Sequence, residues 1–186
     1  MLVLASASPR RQELLRNAGI PFTVQPADID EEPLPGELPK DCAERLAREK
    51  AQTVSRSRPA DYVLGADTIV VIDEVILGKP SDAQDAARML RLLSGRTHAV
   101  ITGVCLVGRN AFEKMTSETT LVTMNCLSDD EVRDYVATGE PMDKAGAYAI
   151  QGMASRWIPR IEGDYSNVVG LPVARVYAIL RELRAI

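Results

Sequence analysis

The chain opens on an unbroken apolar stretch, Met1 to Ala5, that predicts a short strand. Pro9, followed by Gln12, Glu13, Leu14 and Leu15, predicts a helix with Ser8 as N-cap, Pro at the first helical position and Gly19 as the stop. From Asp41 to Val54, Ala43, Leu46, Ala47, Ala51 and Val54 recur at helical spacing, the mark of an amphipathic helix. Between these helices, residues 26–40 (PADIDEEPLPGELPK) are acidic and carry four prolines, too rigid and polar for core structure. Loops of this length are often functional.

DYVLGADTIVVID predicts a strand over 61–73, and VILGKP a second short strand closing on a turn. In SDAQDAARMLRLLSG, Ser81 and Gln84 form a capping-box pattern and Gly95 supplies the stop. Residues 97–107 and 115–126 predict strands joined by the polar GRNAFEK connection, as in an antiparallel pair. Ser128 and Glu131 form a second capping box, opening a helix that runs to Gly139. Residues 141–170 read as irregular and Gly-rich. Val173, Val176, Ile179, Leu180 and Leu183 mark a last apolar helix. This order mixes βα units with antiparallel strands, so the expected fold is α/β with a mixed sheet. Neither a repeat nor a linker divides the chain, and 1–186 is expected to be one domain, either one compact unit or two packed lobes.

Composition narrows the function. Aromatic residues make up 4% of the chain, too few to form a stacking series along a nucleic-acid strand. The net charge of -4 also argues against a polyanion partner, so any anion site must be a local gathering of cations. There is no cationic leader followed by a sufficient apolar segment, and no apolar run approaches the roughly 18 residues of a membrane span. A cytoplasmic protein is expected. Cys42, Cys105 and Cys126 are odd in number and widely spaced, which suggests reduced thiols rather than disulfides or a zinc site. The single His98 falls in a predicted strand start and reads as structural.

Four features do not suit a protein built for stability alone. Arg10 and Arg11 sit in a first helical turn, where the dipole disfavours cations; with Ser8 and the free N–H groups they form a cradle for phosphate, or they bend into solvent. Asp67 interrupts an apolar strand and, if buried, needs a cation such as a divalent metal; the alternative is an exposed strand end. Lys50 lies beside the apolar helical face and Lys79 in the LGKP turn. Both either snorkel or add charge to a polyphosphate clamp. Gln151, in DKAGAYAIQGMA, presents one donor and one acceptor that match a pyrimidine edge, or it ties down its own loop. The P-loop, G-x-G-x-x-G, H-E-x-x-H and G-x-S-x-G motifs are all missing.

Taken in order, SASPRR, ERLAREKA, GADTIVV, LGKP, GRTHAVITGV, DKAGAYAIQG and GDYSNVVGLP resemble the Maf family of nucleoside triphosphate pyrophosphatases, the septum-formation inhibitor-like proteins, over nearly the whole chain. The resemblance implies a Maf and ITPase-like fold: a mixed sheet with flanking helices, in two lobes around a nucleotide-binding cleft. It implies metal-dependent hydrolysis of a nucleoside triphosphate to the monophosphate and pyrophosphate, with Mg²⁺ or Mn²⁺ as cofactor, in a homodimer. By motif, Asp67 falls on the catalytic proton acceptor, and Ser8, Arg11, Lys50 and Lys79 on phosphate-handling positions. Glu31 or Glu32 falls on an acidic position that joins Asp67 at the metal, and the motif does not choose between them. Arg10, Thr68 and Gln151 fall on positions tied to substrate choice. The AYxIQG form points to dTTP and UTP, with modified pyrimidine triphosphates as further candidates. A 7-methyl-GTP pyrophosphatase, or a nucleotide-sensing regulator of cell division that binds without hydrolysis, are the competing readings.

Overall fold

The computed structural model describes residues 1–109 and 112–183. Its elements, in order, are β1 (Leu2–Leu4), α1 (Pro9–Asn17), β2 (Thr23–Val24), α2 (Pro39–Ser55), β3 (Tyr62–Ile72), β4 (Val75–Leu77) and α3 (Ala83–Leu93). There follow β5 (Thr97–Val107), β6 (Glu113–Thr123), α4 (Asp129–Ala137), β7 (Arg160–Glu162), α5 (Tyr165–Val169) and α6 (Val173–Glu182). The strands form one seven-stranded sheet in the order β2-β1-β3-β5-β6-β7, with β4 also paired to β3. β1 runs parallel to β2 and β3, whereas β3–β4 and β6–β7 are antiparallel. The mixed α/β fold is therefore as expected. Among the described residues, no helix is long and apolar enough to cross a membrane.

Contacts divide the chain into two compact units: Met1–Thr68, Thr102–Glu118 and Gly170–Ile186 in the first, Ile69–Ile101 and Thr119–Val169 in the second. Strand alternation explains the first unit's layers. Leu2, Leu4, Leu64, Ala66, Val104 and Leu106 point to one side, where Leu15 of α1 and Val176, Ile179 and Leu180 of α6 cover them. Val3, Ala5, Val63 and Cys105 point to the other, against Ala47, Ala51 and Val54 of α2. Two glycines let α2 approach: a Cβ on Gly65 would lie 2.1 Å from the Ala47 carbonyl oxygen, and one on Gly103 2.2 Å from that of Ala43. A methyl group at either place would push α2 off the strands, and overpacking of this kind costs about 1–3 kcal/mol.

In the second unit, α3 buries Ala86, Met89, Leu90 and Leu93, and α4 buries Val132 and Tyr135. The Ser128–Glu131 capping box is present on α4. α3 begins one residue later than its pattern suggested: Asp82 is the N-cap, accepting from the Asp85 N–H, while the Asp85 carboxylate accepts from the Ser81 N–H. Ionised carboxylates suit a helix start, which is why the pair Asp82 and Asp85 displaces Ser81 and Gln84. The span 141–170 is less irregular than expected. It holds 3-10 turns at Glu140–Asp143, Ala145–Ala147 and Met153–Trp157 as well as β7 and α5, all too short to show a period. β2 is missed for the same reason. β6 occupies 113–123 rather than 115–126, and Asn110 and Ala111 of the predicted connection lie outside the described residues.

Candidate active site

The two sides of β3 separate the candidate residues. Asp67 shares the face of Val63 and Gly65, toward α2, while the next residue, Thr68, shares the face of Leu64 and Ala66, toward α1. On the α2 side, Lys50 follows Leu46 and Ala47 on the buried stripe and is itself only 6% exposed. Its Nζ donates to Asp67 Oδ1 at 2.6 Å and lies 2.6 Å from Glu31 Oε1. Asp67 is 8% exposed, so the strand aspartate is buried and not an exposed strand end. The compensating cation is a lysine of the same chain. Two carboxylates thus converge on one ammonium, an arrangement that repays the cost of burying charge only when the geometry is this close.

Glu31 arrives from the proline-rich loop, and the loop is held by a pair that the sequence patterns did not single out. Arg45 Nε and Nη2 donate to the two oxygens of Glu37 at 2.6 and 2.9 Å, and Nη2 donates to the Glu32 carbonyl at 3.1 Å. This bidentate pairing holds the Glu37 carboxyl well below the usual range, at about 2. The available signal was the ERLAREK stretch of α2, in which Arg45 lies one residue before the buried stripe position Leu46. Glu32 is exposed, and its backbone N–H donates to Asp30 Oδ1. Of the three expected metal carboxylates, Glu31 and Asp67 meet and Glu32 does not join them. Among the described residues, no group of three or more His, Cys, Asp or Glu is arranged to hold a metal ion. Two carboxylates do fit Mg²⁺, which is commonly bound by one or two carboxylates together with substrate phosphates.

On the α1 side, Ser8 caps the helix, accepting from the Arg11 N–H at 3.4 Å. Arg11 does not bend into solvent. Its Nε donates to the Gly170 carbonyl at 2.8 Å, Nη1 to Ser6 Oγ at 3.0 Å and Nη2 to Thr68 Oγ1 at 3.0 Å. Thr68 Oγ1 also lies 2.9 Å from Thr102 Oγ1. Burial lowers the Arg11 pKa, with Arg10 adding to the effect and the charges of Asp67 and Glu31 opposing it. Of its five N–H donors, one ties α1 to Thr68 of β3, one to Gly170 ahead of α6 and one to Ser6 just before α1; among the described residues the other two make no hydrogen bond, which leaves them for a ligand. Arg10 is half-exposed.

Lys79 and Gln151 belong to the second unit, and both are exposed. Gln151 follows the buried run Gly146–Ile150 and is the first residue to emerge from it. Among the described residues its amide makes no hydrogen bond, so it does not tie down its own loop. His98 is structural as expected: its Nε2 lies 2.8 Å from Tyr148 Oη, and burial pushes its pKa down to about 4. Cys42, Cys105 and Cys126 are all free thiols.

Comparison with known proteins agrees with the motifs. A dTTP/UTP pyrophosphatase of Koribacter versatilis (strain Ellin345) is 61% identical over 180 residues, covering 97% of this chain and 93% of that protein. Another dTTP/UTP pyrophosphatase, of Geobacter sp. (strain M21), is 54% identical over 186 residues, covering 100% and 96%. The solved structure of a HAM1 protein from Coxiella burnetii has the same fold, with a TM-score of 0.52 and 18% identity over 97% of this chain and 98% of that one. The family profile described as Maf-like protein matches residues 1–183, and the chain belongs to the Maf family.

Proposed function

We propose that the protein is a nucleoside triphosphate pyrophosphatase that hydrolyses dTTP and UTP to the monophosphate and pyrophosphate. The observation that carries this reading is the buried Asp67, held 2.6 Å from Lys50 Nζ within reach of Glu31. A protein that only bound nucleotide would have no need of a buried general base. The relatives named above, 61% and 54% identical over nearly the full chain, support the substrate.

Asp67 orients water and takes its proton as the oxygen attacks the α-phosphorus, and Lys50 holds the carboxylate in place. Ser8 and the two unspent donors of Arg11 bind phosphate oxygens, with Lys79 adding a further cation, while Arg10 and Thr68 take part with Gln151 in substrate choice. Asp67 and Glu31 are the groups that would hold a divalent Mg²⁺ or Mn²⁺ ion, which when bound neutralises charge building up on the leaving pyrophosphate. Residues 1–186 act as one functional domain in this reading, and the catalytic form is a homodimer, as the family resemblance implies. The three free cysteines suit a reducing cytoplasm.

Gln151 reads the base. Its amide offers one donor and one acceptor, as a uracil or thymine edge requires, whereas 7-methylguanine presents two donors and calls for a carboxylate. A site built on such bonds rejects a mismatched base by roughly 10⁴-fold, because its own polar groups would be left unpaired. The test is a panel of UTP, dTTP, CTP, GTP and 7-methyl-GTP with Mg²⁺ or Mn²⁺, reading monophosphate and pyrophosphate. UTP and dTTP should lead the wild-type panel, and Gln151→Glu should lower both. Preference for 7-methyl-GTP by the wild type would overturn the role given to Gln151, and hydrolysis of none would leave a binding-only sensor.

A further inference from the structure

The loop that carries Gln151 is gripped on both sides by one pair of side chains from the second unit. Tyr135, buried on α4, donates from its hydroxyl to Glu140 Oε1 at 2.6 Å, and the Tyr135 hydroxyl oxygen itself accepts the Ala149 N–H at 3.2 Å. Glu140 accepts the Met153 N–H on Oε1 at 3.1 Å and on Oε2 at 3.3 Å. Ala149 and Met153 lie two residues before and two after Gln151. Between them, the Gly152 N–H donates to the Ala149 carbonyl at 3.0 Å and closes the turn. The grip leaves no spare room, since a Cβ on Gly152 would fall 2.4 Å from Glu140 Oε1.

The pair is itself fixed. The Tyr135 ring packs edge-on against Trp157 at 5.2 Å between centroids, and the Glu140 N–H donates to Thr138 Oγ1 at 3.1 Å. Just upstream, the Tyr148 hydroxyl meets His98, and Ala147 is held at φ 59°, a left-handed conformation unusual for a residue with a side chain. Strain of this kind persists only where the surroundings over-determine it. A half-buried carboxylate is a costly way to close a turn that backbone groups could close alone, but its charge-assisted bonds are roughly twice as strong as neutral ones. What it holds still is an exposed amide with no other hydrogen bond among the described residues.

We infer that Tyr135 and Glu140 are positioning residues that fix the backbone on both sides of Gln151 and so set the base preference, an inference that rests on the pyrimidine reading of Gln151. The experiment measures kcat and KM for UTP, CTP and GTP, with a thermal melt, in the wild type, Tyr135→Phe, Glu140→Ala, Glu140→Gln and Gln151→Ala. Tyr135→Phe removes one oxygen and keeps the ring packing, so it folds even if Glu140→Ala does not. Tyr135→Phe and Glu140→Ala should raise KM for UTP about 10-fold with kcat within about 3-fold, the pattern of lost binding rather than lost chemistry. The preference for UTP over CTP and GTP should narrow by about the same factor. Glu140→Gln keeps a carbonyl oxygen able to accept both bonds and should stay within about 3-fold of wild type.

A purely structural role would lower the melting temperature and the active fraction equally for all three nucleotides. That result in Tyr135→Phe, with the base preference unchanged while Gln151→Ala narrows it, overturns the inference and leaves the reading of Gln151 standing. An unchanged preference in Gln151→Ala overturns both.

Discussion

Asp67→Asn should lower kcat for UTP by about 10²- to 10⁴-fold, the usual contribution of a positioned general base. The substitution keeps the shape of the side chain and its place on β3, and the amide oxygen still accepts the bond from Lys50 Nζ that the carboxylate accepts at 2.6 Å. It cannot take a proton. Lys50 retains its contact with Glu31 Oε1 at 2.6 Å, so the variant is expected to fold. Steady-state kinetics on protein with a cooperative melt would check this. Turnover within about 2-fold of wild type would remove Asp67 from the chemistry.

Lys50→Met has the larger expected effect on stability. The Lys50 side chain is 8% exposed and that of Asp67 is 11%, so removing the ammonium leaves a carboxylate stranded beside α2 with Glu31 repelling it. Breaking one side of a buried pair costs about 3–5 kcal/mol, whereas replacing both partners is often close to neutral. For a chain of this size each kcal/mol is worth about 2–4 °C, so the melting temperature should fall by about 6–20 °C. The double variant Lys50→Met, Asp67→Asn should recover part of that loss, since the two sites are in contact and their effects are not additive. Equal melting temperatures for wild type and Lys50→Met would mean that Lys50 is not the cation that permits Asp67 to be buried.

The contrast between these two variants shows how far the sequence could be read. Asp67 was visible because a carboxylate in the middle of an apolar strand demands an explanation, and Lys50 because it sits at helical spacing from Leu46 and Ala47. That the two explain each other was not visible. Lys50 and Asp67 are 17 positions apart, and only the close approach of α2 at Gly65 and Gly103 brings them together. Arg11 shows the limit from the other side. Its place in a first turn suggests a ligand but not the anchoring beside it, in which its nitrogens bind Gly170, Ser6 and Thr68, two of which lie far along the chain. Local pattern cannot report a partner 159 residues away.

The same limit applies to loops. The acidic segment 26–40 stands out in the sequence, but that Glu31 is the one to reach Lys50 was not legible, because the loop is fixed by Arg45 through Glu37 and the Glu32 carbonyl. Tyr135 and Glu140 carried no periodic signal at all, because their partners are backbone N–H groups of Ala149 and Met153 that any residues could supply. Long elements with a clear period, α2, β3, α4 and α6, were placed closely. Short ones such as β2 and β7 had too few residues to show a period.

The central claim is that water attacks the α-phosphorus of UTP under the control of Asp67. Running the reaction in ¹⁸O-water and weighing both products by mass spectrometry tests it most directly. One ¹⁸O in the UMP phosphate and none in the pyrophosphate is the expected result. Label in the pyrophosphate, or release of UDP with labelled phosphate, would contradict it.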